Sequence, residues 1–219
     1  GAVVTRGGLP GIGRNRGADK ARGDFLFFFD ADIQFPDNFL ERVVDEIEKR
    51  SIELATCEAK PLSDLHIDKI MHKFANIMIK VYKDSNPRIP GYCILIKKYL
   101  FEKIGGFDEA IKVAEDHDLV KRATQHSPLQ IIQSTFIQVS VRRFEKEGRL
   151  PYIRKSLQIA LHRSIKGEIT DDSIEYTFGD FSEENENAYT KAIIKLEKKL
   201  NRLDRKVTRA VRAVKNTGE

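Results

Sequence analysis

The sequence has no tryptophan, two methionines, seven prolines and two cysteines in 219 residues. Two cysteines, Cys57 and Cys93, are too few for a disulfide framework or a zinc cluster, so a reducing, cytoplasmic setting is the expectation. No run approaches the roughly 18 to 20 uncharged apolar residues that span a bilayer. The longest apolar burst, Phe25 to Phe29, has the length of a buried strand. No low-complexity tract or internal repeat is present. Hydrophobic residues make up 41% of the chain and charged residues 32%, enough to build a core and too apolar for a disordered chain.

The formal net charge is +5, and it is unevenly spread. Between Glu168 and Glu186 lie eight acidic residues and no Lys or Arg, whereas Lys191 to Lys215 holds ten basic residues and only Glu197 and Asp204 as acids. Such a basic segment suits an anionic membrane surface, a nucleic acid or an acidic protein, and equally a solvated helix face partly neutralised by the acidic stretch. Ile193, Leu196, Leu200, Leu203, Val207, Ala210 and Val214 recur at heptad spacing, which predicts a helix that pairs with another copy or packs on the body. Interleaved aromatics and a recognisable nucleic-acid-binding fold are lacking, so nucleic acid ranks last among partners.

Upstream, strand and helix patterns alternate over about the first 165 residues, the pattern of an α/β sheet flanked by helices. Expected strands are Ala2–Thr5, Phe25–Asp30, Ile52–Ala59, Gly91–Ile96 and one or two between Leu129 and Val141. Expected helices are Asn15–Ala21, one from Pro36 to about Arg50, Leu65–Tyr82, Lys98–Ile104, Glu115–Gln125 and Leu150–Ile165. Three parts result: an α/β domain over 1–167, an acidic linker over 168–187 and a basic amphipathic helix over 188–219.

Two acidic clusters carry candidate chemistry. Asp30, Asp32 and Gln34 follow the apolar strand directly, and in an extended segment residues two apart share a side, so three oxygens can face one point. Oxygen ligands of this kind suit Mg2+ or Mn2+, and such an ion can neutralise a diphosphate leaving group. The bland alternative is that both aspartates simply precede the helix that starts near Pro36. The second cluster is Glu115-Asp116-His117-Asp118. One of its carboxylates can take a proton from a hydroxyl, and neighbouring carboxylates raise one pKa into a useful range. Acidic residues also favour the first turn of a helix through its dipole, and position alone favours that plainer reading.

Together these blocks resemble family-two glycosyltransferases. Gly13-Arg14-Asn15-Arg16-Gly17, Ala21-Arg22-Gly23-Asp24 and Phe29-Asp30-Ala31-Asp32 resemble the first half of that family's pattern. Gly91-Tyr92, Phe101-Glu102-Lys103-Ile104-Gly105-Gly106-Phe107-Asp108-Glu109 and Glu115-Asp116-His117-Asp118-Leu119 with Arg122 resemble the second. The resemblance implies a GT-A-like mixed sheet and an inverting transfer of sugar from a nucleoside-diphosphate sugar to a hydroxyl or a polyprenyl-phosphate acceptor, assisted by Mg2+ or Mn2+. It implies Asp32 as main metal ligand, Asp30 on the metal and ribose side, Asp116 as base with Glu115 beside it, and Arg14 and Asn15 near the nucleotide, where Asn15 can also cap its helix. Asp30 to Pro36 is also similar to the "DADLQ-x-P" of dolichyl-phosphate mannose synthases, which makes Gln34 a third metal ligand. Ser140-Val141-Arg142-Arg143-Phe144-Glu145-Lys146-Glu147-Gly148 resembles a further block, from which Arg142 and Arg143 are expected to grip a diphosphate.

Against the pattern, the chain lacks the family's opening "V-S-V-I-I-P-x-x-N" strand and its later "D-D-x-S-x-D" stretch. Gly1-Ala2-Val3-Val4 resembles the third strand of the fold, so the preceding nucleotide-binding strands are expected to be absent. Nucleotide-sugar binding by this chain is then expected to be weak unless another chain supplies them, and an open sheet edge is expected at Phe25–Phe29. The alternative from a different class is a non-catalytic transferase body whose tail mediates assembly or docking, peripheral on the cytoplasmic face of a membrane.

Overall fold

A computed structural model describes residues 1–149, 151–152, 199 and 202–209. The expected helix Leu150–Ile165, the acidic linker 168–187 and most of the basic heptad segment lie outside these residues. Within them the order is α1 (Pro10–Lys20), β1 (Phe25–Phe29), β2 (Ile33–Gln34), α2 (Phe39–Arg50), β3 (Leu54–Pro61), α3 (His66–Tyr82), β4 (Cys93–Lys97), α4 (Lys98–Lys103), α5 (Glu115–Ala123), β5 (Gln130–Val139) and α6 (Arg142–Glu147).

The five strands form one mixed sheet in the order β1-β4-β3-β5-β2. Only β3 and β5 run parallel; β1/β4, β3/β4 and β2/β5 are antiparallel. Alternation along the central strands fills two cores. Leu26, Phe28, Leu54, Ile94 and Ile96 meet Leu100, Phe101, Phe107 and Leu119 on one face. On the other, Ala55, Cys57, Ala59, Cys93 and Leu95 meet Phe39, Val43 and Ile47 of α2. Leu26 and Phe28 are buried on one face of β1, and Phe25, Phe27 and Phe29 pack partly buried against the other core, so β1 reads as an unbroken apolar run.

Among the described residues β1 has a neighbour on one side only, so the sheet edge expected at Phe25–Phe29 is present. Ala2–Thr5, expected as a strand, is not one: residues 1–8 have no ladder, and Val3 and Val4 are 75% and 91% exposed. β propensity needs an adjacent strand to act on, and none stands beside these residues. α1 begins at Pro10, several residues before the expected start, with the proline in the first turn where its missing N–H costs nothing.

β5 carries an irregularity that spacing does not reveal. Cys57 pairs with Ile132 and Glu58 with Phe136, so Gln133, Ser134 and Thr135 bulge out of the ladder. The buried Glu46 carboxylate of α2 accepts the freed amides of Gln133 (2.9 Å) and Ser134 (2.8 Å) and pairs with Arg50. Burial alone would raise the Glu46 pKa, but hydrogen bonds from Ser134, Gln133 and Arg50 hold it below the ordinary value.

Residues 202–209 are helical and lie against α3. Buried Asp204 accepts from Lys80 (2.8 Å) and pairs with Lys73, two turns apart on one face of α3. Leu203, on the heptad line, is 46% exposed, so on this segment a carboxylate and not the leucine makes the contact. No helix among the described residues is long and apolar enough to cross a membrane.

Candidate active site

β1 ends at Phe29 and delivers Asp30 to the end of the sheet. The extended run expected from Asp30 to Gln34 is interrupted: Ala31 and Asp32 form a turn, and only Ile33–Gln34 continue as a strand. Asp30 and Asp32 are therefore placed by a turn and not by strand alternation. The Asp32 carbonyl accepts from the Ser140 amide (3.1 Å), which ties the turn to the end of β5. Gln34 is exposed and pairs across β2/β5 with Gln138.

The second cluster opens α5. Ala114, in the left-handed region at φ 65°, turns the chain into Glu115, Asp116 and Asp118 of the first turn. Asp118 grips Arg122 (2.6 Å), whose guanidinium also donates to the Ile104 carbonyl (2.6 Å); both serve to hold the Gly105-Gly106 turn to α5.

Arg14 joins the two clusters. Its guanidinium donates to Glu115 Oε1 (2.5 Å), to Asp30 Oδ1 (3.0 Å) and to the Gly91 carbonyl (3.2 Å). It thus draws helix α1, the end of β1, the Pro90-Gly91 turn and the start of α5 to one place. Gly91 is a further site residue, and the family pattern implied no role for it. A Cβ there would stand 2.7 Å from Arg14 Nη2 and 3.1 Å from Asp116 Oδ2, so only glycine lets the arginine and the aspartate approach this closely.

In the second cluster burial first, then the Asp116 charge, raise the Glu115 pKa, while Arg14 pulls the other way. Asp116 Oδ1 accepts from the His117 amide (2.8 Å), as an acidic first-turn residue does. Tyr92 is held above the usual phenol value by burial, with Cys93, Tyr152, Asp116 and Asp30 adding to it.

The arginines of α6 part company. Arg142 Nη2 reaches Asp32 Oδ2 (3.4 Å) and is 78% exposed. Arg143 instead lies over the Tyr152 ring, 5.5 Å from its centroid. Asn15 is also spent elsewhere than expected. It sits inside α1, so it caps nothing; its Oδ1 accepts from the Phe107 amide (2.9 Å), and its Nδ2 donates to the Phe107 carbonyl (2.9 Å) and to Glu109 (3.0 Å).

The donors suit a hard cation. Asp30 and Asp32 leave 46% and 42% of their side chains exposed, and each is met by a single guanidinium, a cationic group in contact with oxygens that a metal would use. One or two carboxylates, with water and phosphate oxygens completing the shell, is the usual way Mg2+ is held. Among the described residues no group of three or more His, Cys, Asp or Glu side chains is placed to hold a metal alone, so any ion here needs ligands beyond the carboxylates.

Residues 4–105 match the profile of Glycosyl transferase family 2. Over this stretch the chain is similar to part of a family 2 glycosyltransferase domain. Among solved structures, the chain is similar to the mannosyltransferase PcManGT of Pyrobaculum calidifontis, with 17% identity and a TM-score of 0.50 over 98% of this chain and 56% of that one. It is also similar to TarS residues 1–349 of S. aureus, with 16% identity and a TM-score of 0.46 over 78% of this chain and 56% of that one. The chain therefore spans about half the length of these structures. No curated protein matches it. The sheet is the GT-A-like one that the resemblance implied.

Proposed function

We propose that this domain is a metal-dependent inverting glycosyltransferase, which moves a sugar from a nucleoside-diphosphate sugar to a hydroxyl or lipid-phosphate acceptor. The Arg14 bridge carries the reading, because it brings Asp30 and the Glu115-Asp116 pair into one cluster from segments 85 residues apart in the chain. The fold shared with a mannosyltransferase crystallised with GDP-Man and Mn2+ supports a nucleotide sugar and a divalent ion as ligands.

In this reading Asp32 and Asp30, with Gln34 at the rim, hold Mg2+ or Mn2+. Bound there, the ion supplies positive charge to the leaving diphosphate. Arg142, already turned to Asp32, adds a guanidinium that phosphate oxygens fit well. Asp116 Oδ2, standing over Gly91, takes the proton of the attacking hydroxyl. Glu115 and Arg14 fix the first turn of α5 so that Asp116 keeps that position. Arg14 is thus a positioning residue; Arg143 and Asn15, both occupied, are the weakest members of the expected set.

The second reading, an assembly or docking module without turnover, draws on the one-sided pairing of β1 among the described residues, an edge that another strand can pair with. Titration calorimetry separates the two. Heat on adding GDP-mannose or UDP-N-acetylglucosamine that appears only with Mn2+, and is lost in Asp32→Asn, supports the transferase. Absence of heat at millimolar ligand with Mn2+ present supports the module.

A further inference from the structure

A second cavity, of about 520 Å³, opens between the bulge of β5, the C-terminal end of α3 and helix 202–209. It shares no lining residue with the acidic cluster. Its charge is of the opposite sign: six basic side chains line it, against two carboxylates, Glu58 and Asp204. Both carboxylates are already bound to Lys80, at 2.5 and 2.8 Å, and Asp204 to Lys73 as well. They are therefore not available to neutralise the rest of the wall.

Two cations are left over. Lys60 stands 3.4 Å from the centroid of the Phe136 ring, and no carboxylate among the described residues pairs with it. Arg209, exposed on the helix, is likewise without one. The third observation is a buried hydroxyl. Thr135, in the bulge, lines the same cavity, is 7% exposed, and its Oγ1 is the buried side-chain polar atom among the described residues that has no hydrogen-bond partner. A buried hydroxyl normally finds a partner, so Thr135 Oγ1 has hydrogen-bonding capacity left over within the protein.

From these we infer that the cavity is a binding site for a phosphate group, presented to Lys60, Arg209 and Thr135. Phosphate offers several acceptor oxygens and two negative charges to a wall that holds surplus donors, and both ammonium and guanidinium groups bind it well. The site depends on the fold at two points. Glu46 shapes the bulge that presents Thr135, and Asp204 anchors the helix that brings Arg209. The bound phosphate is either that of a free small molecule or that of a lipid headgroup, and the test distinguishes them.

The probe is inorganic pyrophosphate, titrated calorimetrically into the full chain in EDTA, so that binding through a metal at the acidic cluster cannot contribute. A second arm measures flotation with vesicles of phosphatidylcholine containing phosphatidylglycerol. Pyrophosphate binding that weakens at least tenfold in Lys60→Ala/Arg209→Ala and severalfold in Thr135→Val, and is unchanged in Asp32→Asn, supports the site with a soluble ligand. Vesicle recruitment that pyrophosphate competes away and Lys60→Ala reduces supports the site with a lipid-borne phosphate. The proposal is overturned if millimolar pyrophosphate gives no heat and vesicles are not bound, if binding survives the Lys60/Arg209 double variant, or if Asp32→Asn abolishes it. All these side chains except Thr135 are exposed, and Thr135→Val keeps the side-chain volume, so each variant is expected to melt with the wild type.

Discussion

Among the places where this domain brings arginine to aspartate, Asp68 and the Asp30/Asp32 pair differ in one respect. At Asp68 the carboxylate is fully buried, and Arg149 binds both of its oxygens, at 2.8 and 2.9 Å, while the Ser63 hydroxyl donates at 2.7 Å. Its acceptor capacity is used inside the protein. At Asp30 and Asp32 the carboxylates are nearly half exposed, and each meets one arm of one arginine, at 3.0 and 3.4 Å. The first arrangement closes the segment after α6 onto α3. The second leaves oxygens facing solvent at the end of a rigid sheet. A closed pair stores stability and an open pair stores binding capacity, so substitutions should separate the two sites cleanly.

The largest expected loss is at the closed site. Asp68→Ala leaves the Arg149 guanidinium partly buried without its carboxylate, and breaking such a pair costs about 3–5 kcal/mol. A fall in the urea midpoint with an unchanged m-value is the expected result; an unchanged midpoint would mean that Arg149 moves out to water.

Next comes Glu46→Gln, at about 1–3 kcal/mol, the cost of weakening a carboxylate that satisfies two freed amides and pairs with Arg50. The sign of its pH dependence follows from the lowered pKa. The folded state binds this proton less tightly than the unfolded one, so the contribution is complete above the ordinary value of 4.5 and fades as pH falls through the lower folded value. Unfolding curves of wild type and Glu46→Gln should accordingly converge on acidification; a gap that widens below pH 4.5 would contradict this.

Gly91→Ala costs less, because the atoms its methyl meets are the movable ends of Arg14 and Asp116. A melting temperature within a few degrees of wild type is expected, about 1 kcal/mol or less, together with a loss of turnover of about tenfold or more, since small misplacements at a reacting centre are costly. Full activity would show that the Arg14 bridge is dispensable. Smallest of all is the stability effect of Asp32→Asn, within about 0.5 kcal/mol as for other exposed positions, whereas its ligand binding should fail.

The same contrast explains what the sequence made legible. A five-residue apolar run ending in Asp-Ala-Asp announces a buried strand that carries carboxylates to the sheet end, because burial on both faces writes itself as absence of alternation. Helices α1 to α5 were readable from the sequence, with ends shifted by a few residues, whereas the short α6 was not expected. Interactions set by distant segments were not. Ala2–Thr5 has strand composition but no adjacent strand. Asn15 looks like a ligand-binding or capping residue, yet its amide is claimed by Phe107 and Glu109, which lie more than 90 residues away. The bulge at Gln133–Thr135 depends on Glu46 of another element. The rise in the Glu115 pKa owes most to burial, which no spacing encodes. Gly91 was visible as a residue but its purpose, room for Arg14 against Asp116, exists only in three dimensions.

On the proposed reading the open carboxylates, unlike the closed Asp68, hold a cation. Electron paramagnetic resonance of free Mn2+ tests it most directly. Titrated into the protein with GDP present, Mn2+ should lose its free signal with wild type and keep it with Asp32→Asn, while the two proteins unfold at the same urea concentration. Equal uptake of Mn2+ by both proteins, or uptake by neither, would contradict the account.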